Sequence, residues 1–168
     1  MRGPRALEYA ERWGHEEVVM VRDPTVGLRA IIAIHDTTLG PAIGGTRMRA
    51  HPALDDAVLD ALRLARAMTF KSALAGMAFG GGKAVIVGDP ARHKTGALVE
   101  AYARAVDRLS GRFRTGSDMG IDGTDVALMA RVTPWATHKG LPPHRVADRM
   151  VEEKLAAARA ARGQAGAA

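Results

Sequence analysis

Apolar residues follow two rhythms along this chain. Glu17-Val18-Val19-Met20-Val21 and Leu28 to Ile34 are rich in β-branched residues and predict strands. Asp23-Pro24-Thr25-Val26-Gly27 between them carries turn chemistry, so the pair reads as a hairpin, preceded by a short helix near Leu7 to Trp13. The glycine-rich Gly40 to Gly45 segment reads as a loop or broken strand, being too irregular for a strand interior. From Leu54 the spacing changes. Leu54, Ala57, Val58, Ala61, Leu62, Ala65 and Met68 recur at three and four residues, which predicts a helix to about Ala75 with Asp55 and Asp56 in its first turn. On that helix Met68 and Lys71 share a face.

Farther on, Ala84 to Val87 reads as a buried strand closed by Gly88-Asp89-Pro90. Leu98 to Leu109 predicts a helix, Arg112 to Thr115 a short strand and Asp122 to Arg131 another helix. Thr137 to Pro143 is a break, and Val146, Ala147, Met150, Val151, Leu155 and Ala158 give a last amphipathic helix before a tail expected to fray. Alternating strands and helices predict an α/β domain: one three-layer-like unit with a mixed sheet flanked by helices.

The 168 residues suit one domain with a single core. Aromatics are scarce, so aliphatic side chains and Met must fill that core. There is no cysteine, which excludes disulfide and thiolate chemistry and fits a reducing cytoplasm. Charges throughout the first twenty residues argue against a signal peptide, and no uncharged apolar run approaches membrane-spanning length. The net charge of +6 raises nucleic acid as a partner. Scattered arginines and few aromatics for base stacking argue against it, and a solvated basic surface is the better reading.

The stretch from Gly40 to Pro90 carries the candidate chemistry. Lys71 and Lys83 lie between glycine clusters with apolar sequence around them, an arrangement suited to gripping and activating a small anion. Gly80-Gly81-Gly82-Lys83 is not a phosphate loop, because Met77 and Ala84 stand where that loop needs Gly and Ser or Thr, and the strand follows the lysine instead of preceding it. No G-x-G-x-x-G or G-x-S-x-G spacing occurs. His15, His35, His51, His93, His138 and His144 lack metal-ligand spacing and read as surface or cap residues. Asp118, within Thr115-Gly116-Ser117-Asp118-Met119-Gly120, suits a turn as well as a proton-transferring carboxylate, and each lysine suits a surface as well as a site. The residues alone leave these readings level.

Four ordered motifs break the tie. They are Ile31-Ile32-Ala33-Ile34-His35-Asp36, Gly40 to Met48, Ala67-Met68-Thr69-Phe70-Lys71 and Gly80 to Pro90. Residues 27 to 120 thereby resemble the catalytic domain of the Glu/Leu/Phe/Val dehydrogenase family, nearest its leucine, phenylalanine and valine members. The resemblance implies that Lys71 binds the substrate α-carboxylate, that Lys83 is the catalytic lysine and Asp118 the proton-transfer carboxylate, and that the Gly44-Gly45 backbone lines the substrate site. Ile43 and Met68 match positions near the substrate side chain. The lysine that glutamate-specific relatives place there has no counterpart, so a γ-carboxylate would be buried without a partner and branched-chain or aromatic amino acids fit better. The implied reaction is reversible oxidative deamination to a 2-oxo acid and ammonia, with NAD taking the hydride.

After Thr133-Pro134-Trp135-Ala136-Thr137 the resemblance predicts a Rossmann domain that does not follow. Gly140 to Lys154 instead resembles the family's final helix, which packs back on the catalytic domain. The expected organisation is a catalytic and dimerisation domain at 1–136, a junction at 137–143 where the NAD-binding domain would be, a C-terminal helix at 144–162 and a tail at 163–168. The chain thus reads as a truncated dehydrogenase. The expectations that follow are no cofactor bound by this chain, weak affinity for an amino acid or 2-oxo acid, and a homo-oligomer or a hetero-oligomer with a full-length relative. It would serve as an assembly or regulatory subunit, or be active only with a partner chain that supplies NAD.

Overall fold

A computed structural model describes residues 5–133 and Ala156. The expected junction at 137–143, the C-terminal helix at 144–162 and the tail lie outside the described residues, apart from Ala156. Helix α1 (Arg5–Trp13) leads into a hairpin of β1 (Glu17–Asp23) and β2 (Leu28–Asp36). Strand β3 (Ala42–Arg49), helix α2 (Leu54–Leu74), strand β4 (Gly80–Val87) and the single turn α3 (Pro90–His93) follow. Helix α4 (Gly96–Asp107), strand β5 (Phe113–Gly116) and helix α5 (Gly123–Ala130) complete the described order.

The strands form one five-stranded mixed sheet in the order β1-β2-β4-β3-β5. β2 runs antiparallel to both of its neighbours, β1 and β4, whereas β3 is parallel to both β4 and β5. Alternation sends Leu28, Ile32, Ile34, Ala84, Ile86 and Phe113 toward α4 and α5, where they meet Leu98, Tyr102, Val106, Val126 and Met129. The intervening Ile31, Ala33 and Val85 face α1 and α2, meeting Ala6, Ala57, Ala61, Leu62 and Ala65. The sheet is therefore buried on both sides, which is why its strands read as nearly continuous apolar runs.

Helix starts follow their capping chemistry. Thr95 accepts from the Leu98 N–H at 3.2 Å, and Asp122 forms a capping box with Asp125. Two expectations need correction. The Gly40 to Gly45 segment, expected as a loop or broken strand, keeps only Gly40 and Pro41 in a bend, and Ala42 to Gly45 lie inside β3. The fourth strand begins at Gly80, earlier than the apolar pattern indicated, and includes all three glycines. Close packing overrides poor strand propensity there: a Cβ on Gly81 would lie 2.1 Å from the Thr69 backbone nitrogen, and one on Gly82 would lie 2.7 Å from the Phe113 ring. Only bare backbone fits between α2 and Phe113.

Candidate active site

The site forms on the α2 side of the sheet, where β3, β4 and the turn after β5 meet. Lys83 follows the glycines of β4 and shares the face of Val85, so its side chain enters the layer beneath α2 and is only 7 % exposed. Strand β5 lies on the far side of β3, and the chain leaving it turns at Asp118, which forms an isolated bridge with Ile121. That turn is tied to β3 by the Met48 N–H donating to Met119 O at 2.8 Å. Lys83 Nζ and Asp118 Oδ2 are in direct ion-pair contact.

Arg47, two positions beyond Gly45 on β3, supplies the second cation. Its Nε donates to the same Asp118 Oδ2 at 3.3 Å, and its guanidinium also reaches Asp60 Oδ2 of α2 at 3.3 Å. His51 Nε2 lies 3.3 Å from that Asp60 oxygen. Partial burial pushes the Asp118 carboxyl up. The Lys83 ammonium, the Met119 backbone N–H and Arg47 outweigh it and hold the carboxyl below its ordinary range. Asp118 is therefore an ionised acceptor held between two cations.

Gly45 adjoins this pair: a Cβ there would lie 2.5 Å from Ser117 O and 2.9 Å from Asp118 Cβ. Ile43 is buried and shares the Gly45 and Arg47 face by strand alternation. Gly44 belongs to the other phase, and a Cβ on it would strike Gly82 O, so its bareness serves strand contact. Met68 is half-buried on α2. Lys71 sits in the last turn of α2, exposed, and among the described residues makes no ion pair with Asp118. The structure joins Lys83 and Asp118 directly and leaves Lys71 on the helix above the same sheet face.

Sequence reasoning passed over Arg47, Asp60 and His51 as site residues. The signal for Arg47 was strand phase, which becomes usable only once Gly44-Gly45 is seen to lie inside a strand. The reading of every histidine as a surface or cap residue also fails at His35, which is 8 % exposed beneath α1 and α2. Its Nδ1 meets Thr69 Oγ1 at 2.8 Å and its Nε2 meets Trp13 O at 3.1 Å, and these partners make its burial tolerable.

The sequence profile described as Glu/Leu/Phe/Val dehydrogenase, dimerisation domain, matches residues 15–139. The chain belongs to this family. It is 46 % identical over 137 residues to leucine dehydrogenase of Geobacillus stearothermophilus, an alignment covering 82 % of this chain and 37 % of that protein. It is 58 % identical over 106 residues to phenylalanine dehydrogenase of Lysinibacillus sphaericus, covering 63 % of this chain and 28 % of the relative. Among solved structures, L-tryptophan dehydrogenase from Nostoc punctiforme superposes with a TM-score of 0.74 at 46 % identity, over 77 % of this chain and 38 % of that one. The matched stretch thus spans 28 to 38 % of the length of these family members. Among the described residues no helix is long and apolar enough to cross a membrane.

Family membership raises the question of a dinucleotide, and the turns after β4 and β5 do not fit one. A pyrophosphate needs free helix amides at such a turn. After β4, Asp89 accepts from the Ala91 N–H at 3.0 Å and Pro90 has no N–H. After β5, the Asp122 carboxylate accepts from the Thr124 and Asp125 N–H groups. After β3, helix α2 opens with Asp55 and Asp56. Carboxylates stand at every described turn of this kind.

Proposed function

We propose that this chain carries the amino-acid-binding and proton-transfer half of an amino-acid dehydrogenase. Its substrates are branched-chain or aromatic L-amino acids and their 2-oxo acids. The observation that supports this most is the contact between buried Lys83 and partly buried Asp118 on the glycine-lined floor of β3 and β4. Lys71 binds the substrate α-carboxylate from the end of α2, and the Gly44-Gly45 backbone lines the site. Ile43 and Met68 contact the substrate side chain and offer a γ-carboxylate nothing to pair with.

Oxidative deamination needs a proton removed from the α-ammonium and another from the water that adds to the imine carbon. Lys83 Nζ and Asp118 Oδ2 are in contact, so a proton passes between them without crossing water. Arg47 keeps Asp118 oriented and charged while this happens. NAD, the hydride acceptor of the family reaction, comes from outside the described residues in this reading. We therefore expect weak amino-acid affinity and no turnover by this chain by itself, with assembly into a homo-oligomer or with a full-length relative in the cytoplasm. In such an assembly it acts as a structural or regulatory subunit.

Calorimetry with leucine, valine, phenylalanine and glutamate, paired with an assay of NAD reduction, tests the reading. Weak binding of the first three, lost in Lys71→Met and Lys83→Met, is expected. Equal binding of glutamate, or sustained NAD reduction by the purified chain without a partner, would overturn it. A full-length leucine dehydrogenase inactivated at its own catalytic lysine and added to the chain distinguishes a silent subunit from one that borrows cofactor, because only the second gives amine-dependent NADH formation, lost in Lys83→Met.

A further inference from the structure

A cavity of about 320 Å³ opens at the end of the sheet, lined by Val26, Gly27, Arg29, Val87, Gly88, Arg92, His93 and Leu98. It begins four residues beyond Lys83 on β4, roughly 13 Å along the strand at about 3.3 Å per residue. It shares no residue with the proposed amino-acid site.

Every polar side chain in this lining is a hydrogen-bond donor. Arg29 and Arg92 bring guanidinium groups, which have no acceptor. His93 Nδ1 accepts from the Asp89 backbone N–H at 3.0 Å, which leaves its proton on Nε2. Among the described residues neither arginine forms an ion pair. The strand register adds an independent sign of uncompensated charge. Arg22 on β1 stands directly opposite Arg29 on β2, an exposed like-charge pairing that is unfavourable and that an anion would relieve. One row across, Arg49 lies beside Val87 on the same face, so three strands present arginines at this end. The remaining lining is apolar or glycine, with Val26, Val87 and Leu98 forming a wall where a nonionic body can rest.

We propose that this cavity is a binding site for a phosphate monoester, with Arg29, Arg92 and His93 holding the phosphoryl group and Val26, Val87 and Leu98 contacting its organic part. A dianion satisfies donors arriving from two arginines and one imidazole, and guanidinium forks match phosphoryl oxygens two at a time. Gly27 and Gly88 leave the rim open to a group of that size. A free phosphate presents the same oxygens without the body, so affinity separates the two sources.

The purified chain is titrated by calorimetry and by amide chemical shifts with inorganic phosphate, glucose 6-phosphate and adenosine monophosphate at constant ionic strength. The expected result is saturable binding of at least one monoester, five-fold or more tighter than inorganic phosphate, with shifts at Gly27, Gly88 and His93. Arg29→Gln and Arg92→Gln each weaken it at least ten-fold, whereas Arg108→Gln, an equal charge change at the exposed C-cap of α4, leaves it within two-fold. Three outcomes overturn the proposal: no saturable binding of any monoester, inorganic phosphate binding as tightly as every monoester, or equal weakening by all three variants. Thermal unfolding of each variant shows whether the fold survives, and the shift map locates the ligand even where one variant does not fold. Amino-acid affinity at the Lys83 site is measured on the same samples, so failure of one site is distinguishable from failure of the other.

Discussion

Arg47 Nε lies 3.3 Å from the same Asp118 oxygen that Lys83 Nζ contacts, so one carboxylate oxygen serves two cations on neighbouring strands. Arg47 also spans to Asp60 on α2, which ties the site carboxylate to the helix that roofs it. Arg47→Gln removes both ties. We expect the Asp118 carboxyl to titrate at higher pH in the variant, followed by carboxyl carbon chemical shifts, with a stability loss of about 1.5–3 kcal/mol in urea unfolding. An unchanged titration would mean that Lys83 and the Met119 N–H set the charge without Arg47.

Asp118→Asn leaves the Lys83 ammonium buried without its counter-charge. Breaking one side of such a pair costs about 3–5 kcal/mol, whereas removing both charges is far milder. The double variant Lys83→Met with Asp118→Leu is therefore expected to regain most of the stability that Asp118→Asn loses, while amino-acid binding stays absent.

Gly45 and Gly123 make a matched test of packing. A Cβ at Gly45 runs into Ser117 O at 2.5 Å, whereas one at Gly123 meets nothing within 4 Å. Gly45→Ala is expected to displace the Asp118 turn and cost about 1–3 kcal/mol. Gly123→Ala, at the first residue of α5, is expected to stabilise by about 0.4–1 kcal/mol. Thermal unfolding of the two variants decides both.

Acid sensitivity is expected from His35. Burial first, and the neighbouring His15 second, hold its imidazole below the ordinary value of 6.5. Because the folded state resists protonation, the unfolded chain takes up the proton first as pH falls. Stability from this group is complete above 6.5 and declines below it until His35 itself protonates. Urea midpoints measured between pH 7.5 and pH 5.5 should fall, and His35→Gln should flatten the slope. A midpoint insensitive to pH in the native chain would contradict this.

The hydroxyl cluster on the opposite face gives an asymmetric pair. Thr46 Oγ1 lies 2.6 Å from both Tyr102 Oη and Thr115 Oγ1. Burial pushes the Tyr102 phenol up, so it stays protonated and needs its partner. Thr46→Val removes the hydroxyl that Tyr102 and Thr115 share and leaves those two only each other, so it is expected to cost about 1–3 kcal/mol, more than Tyr102→Phe, which leaves the two threonines paired.

Much of the architecture was legible in the chain. β-Branched runs marked β1 and β2, three- and four-residue spacing marked α2 to within a residue of its end, and the expected helices at Leu98 to Leu109 and Asp122 to Arg131 fall within two residues of α4 and α5. Hydrophobic periodicity is a local quantity, and these elements bury their faces in register with it. The glycine strands escaped because their lack of side chains answers to neighbours distant in sequence: Thr69 and Phe113 for β4, Ser117 and Asp118 for β3. His35 escaped for the same reason, since its partners Trp13 and Thr69 lie on two different helices.

By itself the sequence determined the α/β class, the hairpin, the long helix and the family, and it singled out Lys83 and Asp118. Tertiary structure alone decided that these two touch, that Arg47 joins them, that Lys71 remains exposed on its helix, and that arginines distant in the chain face one cavity. The physical reason is strand order. Inserting β4 between β2 and β3, with β5 beyond, sets side chains side by side at distances that no local spacing encodes.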